Sequence, residues 1–387
     1  MYTQNTPVHV HLWHHDFWRL AMANLFLSMA VYMQIPILPL WMGTCDKMAV
    51  ALAMGIFGLG VFCLGPFCSY LVQHYRRSHV YMLSVGVMIA SMAAILYLSG
   101  DKDILVERVW VSRLVMGAAY GLSQMVLLST LVIDTSESFQ RTEANHSAAW
   151  FGRFGLSLGP IASLILYPFV GFQGTMFCAM ACSLVAVILV LLVHFSFKAP
   201  EEVLSKVNLD RFYLTHGSIL FLNLFLVTVA VGIILSLPLT ITFYGMMMAG
   251  FFLALVCQKF VFANAELKSE IVSGLFLMGV AVLMMRTTLP TPRHYGAPVL
   301  IGVGIGLIGA RFLLFFIKLS KHCQRGTSQS SYFLAWESGL ALGLFLGHAF
   351  LVSRPNILLD VALVVIVVAL LMYRFFTHSW YLRNKNR

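Results

Sequence analysis

A helical membrane protein with twelve transmembrane helices, arranged as two pseudo-symmetric bundles of six, is the fold class that this sequence predicts. The first observation is composition, because 60% of the residues are hydrophobic and 10% are charged, whereas soluble domains have roughly 45–50% and about 25%. The second is a series of about twelve apolar runs, each near the ~20 residues that a helix needs to cross a bilayer. The third is a repeat at half the chain length. Lipid is therefore the solvent that this composition fits.

The apolar runs place the predicted helices in order, with short polar segments between them. In the first half they cover residues 18–41, 48–72, 79–99, 105–133, 146–168 and 174–195. In the second half they cover residues 212–235, 238–258, 269–288, 297–318, 331–351 and 356–376. Because the number of spans is even, both termini are predicted to lie on the same side of the membrane.

The longest polar interruption, HFSFKAPEEVLSKVNLDR from His194 to Arg211, separates the two sets of six helices. We therefore divide the chain into a tail of residues 1–17, a bundle of residues 18–196, a central loop of residues 197–211, a bundle of residues 212–376 and a tail of residues 377–387. Lysine and arginine are in excess by more than two to one in the loops on the side of the termini, and positive loops stay in the cytoplasm. Both tails and the central loop are predicted to be cytoplasmic, in a protein of the inner cell membrane.

Charge, cysteine and histidine exclude some classes of partner. The net charge of +10 does not indicate nucleic acid, because the charges lie mostly in loops on one side. The seven cysteines follow no disulfide framework, and Cys178 and Cys182 have no neighbouring histidine or carboxylate to complete a metal site. The histidine-rich tail HVHLWHHDFW could bind a divalent metal, but we interpret it as a disordered or interfacial segment. The sequence predicts no metal and no cofactor.

A repeat at half the chain length marks the fifth and eleventh predicted helices. QRTEANHSAAWFGRFGLSLGP, residues 140–160, returns 184 positions later as QRGTSQSSYFLAWESGLALGL, residues 324–344. Two glycines of the segment are kept in the second copy, whereas Arg153 falls opposite Glu337. A match of this length indicates duplication, and a duplicated membrane protein is typical of a transporter.

A short basic loop between the second and third predicted helices carries the first family motif. Its sequence SYLVQHYRRSHVY, residues 69–81, resembles G-x-L-a-D-R-x-G-R-R, the signature loop of the major facilitator superfamily. Arg77 falls on the first of the two closing arginines, while Gln73 stands where the family has an aspartate. The resemblance implies a charge relay between Arg77 and an acid at the end of the fourth helix, here Asp134. The alternative is an arginine pair that only fixes membrane orientation.

Two further motifs resemble the same family. VSRLVMGAAYGLSQ, from residue 111, is similar to the pattern R-x-x-x-G through Arg113 and Gly117. The resemblance implies that Arg113 acts in the cavity on substrate or protons; the alternative is a side chain that extends to the outer headgroups. GLSLGP is similar to the core of the antiporter element G-x-x-x-G-P, which implies a hinge at Gly155, Gly159 and Pro160. A closely packed helix pair explains the glycines equally well.

Four charged residues lie well inside predicted spans, away from the span ends, where charge is costly and usually functional: Arg113, Arg153, Arg311 and Glu337. Arg311 and Glu337 are each about seven residues from the cytoplasmic ends of neighbouring antiparallel helices, so we predict that they pair. A buried acid with an arginine partner stays ionised, whereas without one it takes up a proton readily. We therefore predict a conditional pair that couples proton movement to rocking of the bundles. The alternative is a static structural ion pair.

In the major facilitator superfamily, the first, fourth, seventh and tenth helices line the substrate cavity. The resemblance therefore implies substrate contacts for Tyr32, Gln124 and Asn223. Ordinary hydrogen bonds between helices would explain these three residues equally well.

The chain as a whole resembles transporters of this superfamily, in particular bacterial permeases of the efflux type. The resemblance implies a monomer in the lipid bilayer that exports a small molecule by proton antiport. The alternative is a proton-coupled symporter that takes up a sugar, an organic acid or a similar nutrient. An intramembrane enzyme or a channel has less support, because the sequence contains no G-x-S-G or H-E-x-x-H element and carries its pseudo-symmetry internally. We therefore expect a small-molecule substrate and protons as partners, no nucleic acid and no catalytic residues.

Overall fold

A computed structural model describes residues 11–98, 106–195, 205–321 and 324–385 of the chain. The described residues are helical and contain no β-strand. Eleven helical stretches among them are long and apolar enough to cross a membrane. These are α1 His15–Trp41, α2 Lys47–His74, α3 Arg77–Leu98, α4 Val106–Asp134, the stretch Arg141–Leu191 that contains α5 and α6, α7 Thr215–Leu235, α8 Ile241–Phe260, α9 Leu267–Arg286, α10 Pro292–Leu319, α11 Arg325–Leu351 and α12 Pro355–Asn384.

The stretch Arg141–Leu191 is two membrane spans joined by a sharp break. Its 51 residues would extend about 77 Å as one straight helix at about 1.5 Å per residue, more than twice the ~30 Å hydrocarbon core. Gly171 interrupts the helix with φ 63° and ψ −168°, a backbone conformation open to glycine because it has no Cβ. Residues 141–170 therefore form α5 and residues 172–191 form α6. The described helices make twelve spans, as the sequence predicts.

Several helix ends differ from the predicted bounds, and three of the larger differences are at α5, α11 and α12. α5 begins at Arg141 and α11 at Arg325, five and six residues before the predicted starts. Polar residues near these starts, Asn145 of α5 and Thr327 and Ser328 of α11, are buried. α12 continues to Asn384, through most of the predicted tail of residues 377–387, where Tyr381 stacks on Phe315 with ring centroids 4.0 Å apart. Parts of the other predicted polar segments, residues 1–10 (with His9), 197–204 and 386–387, lie outside the described residues.

Glycine faces hold the same helix pair together in each bundle. On α5, a Cβ added at Gly159 would lie 2.9 Å from the Met29 carbonyl oxygen of α1. On α11, a Cβ added at Gly343 would lie 2.2 Å from the Val229 carbonyl oxygen of α7. Such close backbone approach requires residues without a side chain. The repeated segment therefore makes the same kind of helix contact in both halves, which explains why its glycines occur twice.

The two bundles meet at both ends of the molecule. We call the end that holds residues 205–214 the linker end, and the opposite one the distal end. At the distal end, the Lys47 Nζ donates to the Ser353 Oγ at 2.5 Å. At the linker end, the Arg325 guanidinium donates to the Ser138 carbonyl oxygen at 3.4 Å, and a Cβ on Gly326 would lie 2.8 Å from the Ser129 carbonyl oxygen. Contacts at both ends enclose the space between the bundles, so the conformation is occluded.

Residues 205–214, which we call the linker, bind to both bundles. The Asp210 carboxylate accepts from the Thr327 hydroxyl of α11 at 2.9 Å and from the Ser69 hydroxyl of α2 at 3.4 Å. The backbone amide of Asn208 donates to the Pro66 carbonyl oxygen at 3.0 Å. The amides of Arg211 and Leu214 donate to α11 hydroxyls at 2.9 and 2.6 Å. One short segment thus connects α2 of the first bundle to α11 of the second.

Candidate functional site

A small closed cavity lies between the two bundles, with walls from α1, α4 and α5 on one side and α11 on the other. Its volume is about 40 Å³, which is room for a few water molecules and not for an organic substrate. The predicted site residues Tyr32, Gln124, Arg153 and Glu337 all line it. The remaining lining residues are Asn24, Ser28, Tyr120, Leu128, Ala149, Gly152, Gln329, Tyr332, Phe333 and Trp336.

One wall of the cavity is a hydrogen-bonded cluster of neutral polar side chains. The Gln124 Nε2 donates to the Asn24 Oδ1 at 2.9 Å and to the Ser28 Oγ at 3.2 Å. Asn24 in turn donates to the Ala148 carbonyl oxygen of α5 at 2.8 Å. The Gln124 Oε1 is buried without a hydrogen-bond partner among the described residues. This wall therefore combines a fixed scaffold with one free acceptor.

Glu337 supplies the carboxylate of the cavity. Its side chain is 3% exposed, and its Oε1 accepts from the Tyr32 hydroxyl at 2.5 Å. Among the described residues no lysine or arginine forms an ion pair with it. A hydroxyl neutralises no charge, so this buried carboxyl group has a hydrogen-bond donor but no counter-charge in contact among the described residues.

The predicted pairing of Arg311 with Glu337 is wrong. Arg311 forms its ion pair with Glu270 of α9, which the sequence reasoning did not consider. The two predicted partners do sit on α10 and α11, but Arg311 points to the other neighbour of α10. Glu270 lies in the first turn of α9, where a carboxylate resembles an ordinary helix-end charge.

Arg153 supplies the cation of the cavity and has no acidic partner among the described residues. Its side chain is 3% exposed, and its Nε and Nη2 donate to the Tyr332 hydroxyl at 3.3 and 3.2 Å. The guanidinium carbon lies 4.7 Å from the centre of the Trp150 ring, a cation–π contact. The Nη1 has no hydrogen-bond partner among the described residues. A buried guanidinium thus keeps one donor group unused.

Arg113 is buried inside the bundle and does not extend to the headgroups. It is 4% exposed; its Nε donates to the Ala53 carbonyl oxygen at 3.0 Å and its Nη1 to the Gln34 Oε1 at 2.8 Å. The guanidinium also lies over the Phe57 ring, 4.8 Å from its centre. Arg113 and Glu337 line a second, smaller void beside the cavity. Arg113 therefore adds positive charge next to the site rather than at its centre.

The predicted cavity position of Asn223 is wrong. Its Nδ2 donates to the Ala369 carbonyl oxygen of α12 at 3.1 Å, and the residue is absent from the cavity lining. α7 packs against both α11 and α12, and the Asn223 amide lies at the contact with α12. The alternative explanation, an ordinary hydrogen bond between helices, is the correct one here.

The charge relay and the hinge lie away from the cavity. Arg77 and Asp134 form the expected ion pair at the linker end of α3 and α4. The pair Arg311–Glu270 joins the equivalent helices of the second bundle with the two charges exchanged between helices. The predicted hinge lies within unbroken helix, since the backbone break of this stretch is at Gly171 and not at Gly155, Gly159 or Pro160. The two glycines of the predicted hinge pack against α1. Their packing role is visible, and their hinge role stays a prediction.

Most of the α11 wall was not predicted from the sequence. Its residues follow an i, i+3, i+4, i+7, i+8 pattern and so share one face of the helix: Gln329, Tyr332, Phe333, Trp336 and Glu337. A polar and aromatic stripe beside a buried acid was the signal that could have identified them.

Comparison with known proteins gives a consistent picture of the fold. A family model described as Major Facilitator Superfamily matches residues 20–344. Among curated proteins, none matches the chain by sequence. A bacterial homologue of the iron transporter ferroportin, solved in an outward-facing state, is 15% identical with a TM-score of 0.67, covering 94% of this chain and 99% of that chain.

Two further solved structures have the same fold. The nucleoside transporter NupG is 11% identical with a TM-score of 0.66, covering 93% of this chain and 100% of that chain. The human organic anion transporter MFSD10 is 13% identical with a TM-score of 0.64, covering 92% of this chain and 98% of that chain. At these identities the likeness extends to the fold alone.

Proposed function

The chain belongs to the major facilitator superfamily, and from that premise we propose that it is a proton-coupled secondary transporter that moves a small molecule by alternating access. The observation that carries the proposal is the closed cavity between the two bundles, which holds one buried carboxyl group and one buried guanidinium. Opening the contacts at either end in turn would expose this cavity to one side of the membrane at a time. Membership of the major facilitator superfamily indicates that the chain is a transporter and not an enzyme.

Glu337 is the proposed proton carrier. It faces the cavity, it is buried, and its hydrogen-bond partner is a tyrosine hydroxyl. Burial without a counter-charge makes the ionised form costly, so the carboxyl group binds a proton when the cavity is closed and can release it when water enters. Arg311, which pairs with Glu270, has no part in this step.

Two forms of coupling have support. Efflux by antiport is favoured by GLSLGP in α5, the element similar to that of the family's antiporters. Uptake by symport is the second candidate, and it is favoured by Arg153 and Glu337 lining one cavity. A proton on Glu337 would leave Arg153 as the charge that a substrate meets.

The proposed placement puts the linker end and both termini in the cytoplasm of a cell-membrane protein that acts as a monomer. The excess of lysine and arginine in the loops at that end supports the orientation. The internal pseudo-symmetry supports the monomer, because one chain supplies both halves of the cavity.

Distances between spin labels test alternating access without knowledge of the substrate. In a cysteine-free background, one label pair replaces Lys47 and Ser353 at the distal end and another replaces Ser138 and Arg325 at the linker end. We expect each pair to show a short and a long distance, with the two ends opening in opposite order. Fixed distances at both ends over the whole pH range would exclude alternating access.

The same labels test the proton carrier. In the otherwise unchanged protein, lowering the pH is expected to shift the populations of the two distances, because protonation removes a buried charge. Glu337→Gln mimics the protonated acid and should abolish the shift. Glu107→Gln, at an exposed position of α4, is the matched control and should keep it. A shift that survives in Glu337→Gln would remove this residue from coupling.

A further inference from the structure

We infer that the substrate is an organic anion whose acid group is bound by Arg153, Gln329 and Tyr332. This inference rests on the proposed function and names the substrate class of the same cavity. It favours the symport form of coupling.

The strongest support is the unused donor on Arg153. A guanidinium that is 3% exposed is costly to bury unless its charge is balanced. Its bonds to the Tyr332 hydroxyl and its contact with the Trp150 ring satisfy two sides of the group but supply no negative charge. The Nη1 is left without a partner among the described residues. An acidic group entering the cavity would supply both the missing hydrogen bond and the counter-charge.

Gln329 adds a second unsatisfied group to the same wall. It is 1% exposed and lines the cavity, and neither its amide nitrogen nor its amide oxygen has a hydrogen-bond partner among the described residues. A buried amide left unpaired is costly, so a site that fills on ligand binding explains its presence. It lies one turn before Tyr332 on α11, which puts both on the cavity face.

Tyr332 completes the set of donors. Its hydroxyl oxygen accepts from both the Nε and the Nη2 of Arg153, which leaves the hydroxyl hydrogen available for an acceptor. Arg153 Nη1, Gln329 Nε2 and the Tyr332 hydroxyl therefore offer three donor groups to one small space. A carboxylate accepts several such bonds at once, and a hydrogen bond with a charged partner is stronger than a neutral one.

The rest of the lining indicates what the acid group is attached to. Tyr120, Phe333 and Trp336 contribute aromatic surface to the cavity, and the Tyr120 and Phe333 rings lie 5.6 Å apart. Such walls favour a flat apolar or aromatic body. Because the closed cavity has room for water only, we expect the anion to enter when one end is open.

A cationic substrate is the competing possibility, and the charges oppose it. The titratable and charged groups that face the cavity are Tyr32, Tyr120, Arg153, Tyr332 and Glu337, and Arg113 faces the adjoining void. Two guanidinium groups thus stand against one carboxylate. The carboxylate already accepts from Tyr32, whereas the free donor is on Arg153. A proton on Glu337 would make the site more positive still, so anion binding should strengthen as the pH falls.

Thermal unfolding of the purified protein tests the inference with three matched probes: naphthalene-2-carboxylate, naphthalene-2-carboxamide and 2-naphthylmethylammonium. We expect the carboxylate alone to raise the unfolding midpoint, by an amount that grows with its concentration. The shift should be several-fold larger at about pH 6 than at about pH 8, and Glu337→Gln should remove that difference. Stabilisation by the ammonium compound and not by the carboxylate would overturn the inference.

Variants decide whether the anion binds at the proposed place. Arg153→Gln and Gln329→Leu should each abolish or strongly reduce the carboxylate shift, and Arg153→Lys should keep part of it. Arg286→Gln is the matched control, because it removes a half-exposed arginine paired with Asp360 far from the cavity. If Arg153→Gln does not fold, Gln329→Leu gives the same decision. An unchanged shift in the cavity variants, or no carboxylate shift in the unmodified protein, refutes the anion site, while the spin-label distances still report separately on alternating access.

Discussion

Replacing Gly343 by alanine is expected to destabilise the protein strongly, because the added methyl group has no space. The new Cβ would lie 2.2 Å from the Val229 carbonyl oxygen and 2.8 Å from the Gly232 Cα of α7. Ordinary contact begins near 3.4 Å, so α7 and α11 would have to separate by about 1 Å. Overpacking of this kind costs about 1–3 kcal/mol, and the atoms in the way are backbone, which cannot turn aside.

Gly86→Ala is the matched control on α3. No heavy atom lies within 4 Å of a Cβ built there, and alanine is the better helix former by about 1 kcal/mol. Gly343 also lies inside a helix and has the same propensity gain, so the two variants should differ by the overpacking cost of about 1–3 kcal/mol. Gly155→Ala should fall between them, because its Cβ would meet the Ser28 Cβ at 2.8 Å and backbone atoms only beyond 3 Å.

The measurement is the unfolding midpoint of each purified variant in one detergent, followed by tryptophan fluorescence. We expect the order Gly86→Ala, Gly155→Ala, Gly343→Ala from most to least stable. Equal midpoints for Gly86→Ala and Gly343→Ala would show that the α7–α11 contact is looser than described and would refute the argument.

Two further predictions concern side chains whose partners differ from those expected. Exchanging Arg311 and Glu270 should restore much of the stability that either single charge reversal loses, because the two side chains form an ion pair with each other. Exchanging Arg311 and Glu337 should restore none. The unfolding midpoints of the single and double variants measure both effects. Asn223→Leu should lower the free energy of unfolding by about 0.5–1.5 kcal/mol, because one hydrogen bond is lost while the Ala369 carbonyl oxygen keeps its intrahelical donor, the Tyr373 backbone amide. A normal midpoint shift with the carboxylate probe would show that the cavity is untouched. A lost ligand response in Asn223→Leu would instead return this residue to the site.

The sequence could predict depth in the membrane but not direction around each helix. Apolar runs and the repeat fixed the class of fold and the number of spans, because composition and length suffice for both. Arg311 was placed at the correct depth, yet it faces α9. Gly309, two residues earlier and about 200° around the helix at ~100° per residue, faces Trp336 of α11. Counting residues from the helix end contains no information about this rotation.

Asn223 shows the same limit on α7. Thr228 of that helix donates to the Ala335 carbonyl oxygen of α11 at 3.2 Å. Asn223 is five residues away, about 140° around the helix axis at ~100° per residue, which turns it to α12. Polar character alone did not tell these two faces apart. Tyr32 and Gln124 do line the cavity, but the same family-based assignment of helices to the cavity gave the wrong position for Asn223.

The linker gives the two directions of opening unequal free energies. Separation of the bundles at the distal end leaves every linker hydrogen bond intact. Separation at the linker end must detach the linker from one bundle. The smaller loss is the two hydrogen bonds to α2, which are the Asn208 backbone amide to the Pro66 carbonyl oxygen and the Ser69 hydroxyl to the Asp210 carboxylate. At about 0.5–1.5 kcal/mol each, these bonds favour distal opening by roughly five- to a hundredfold. When the empty protein opens, it is therefore expected to open more often at the distal end than at the linker end, and the free energy of ligand binding must exceed this bias before the linker end opens.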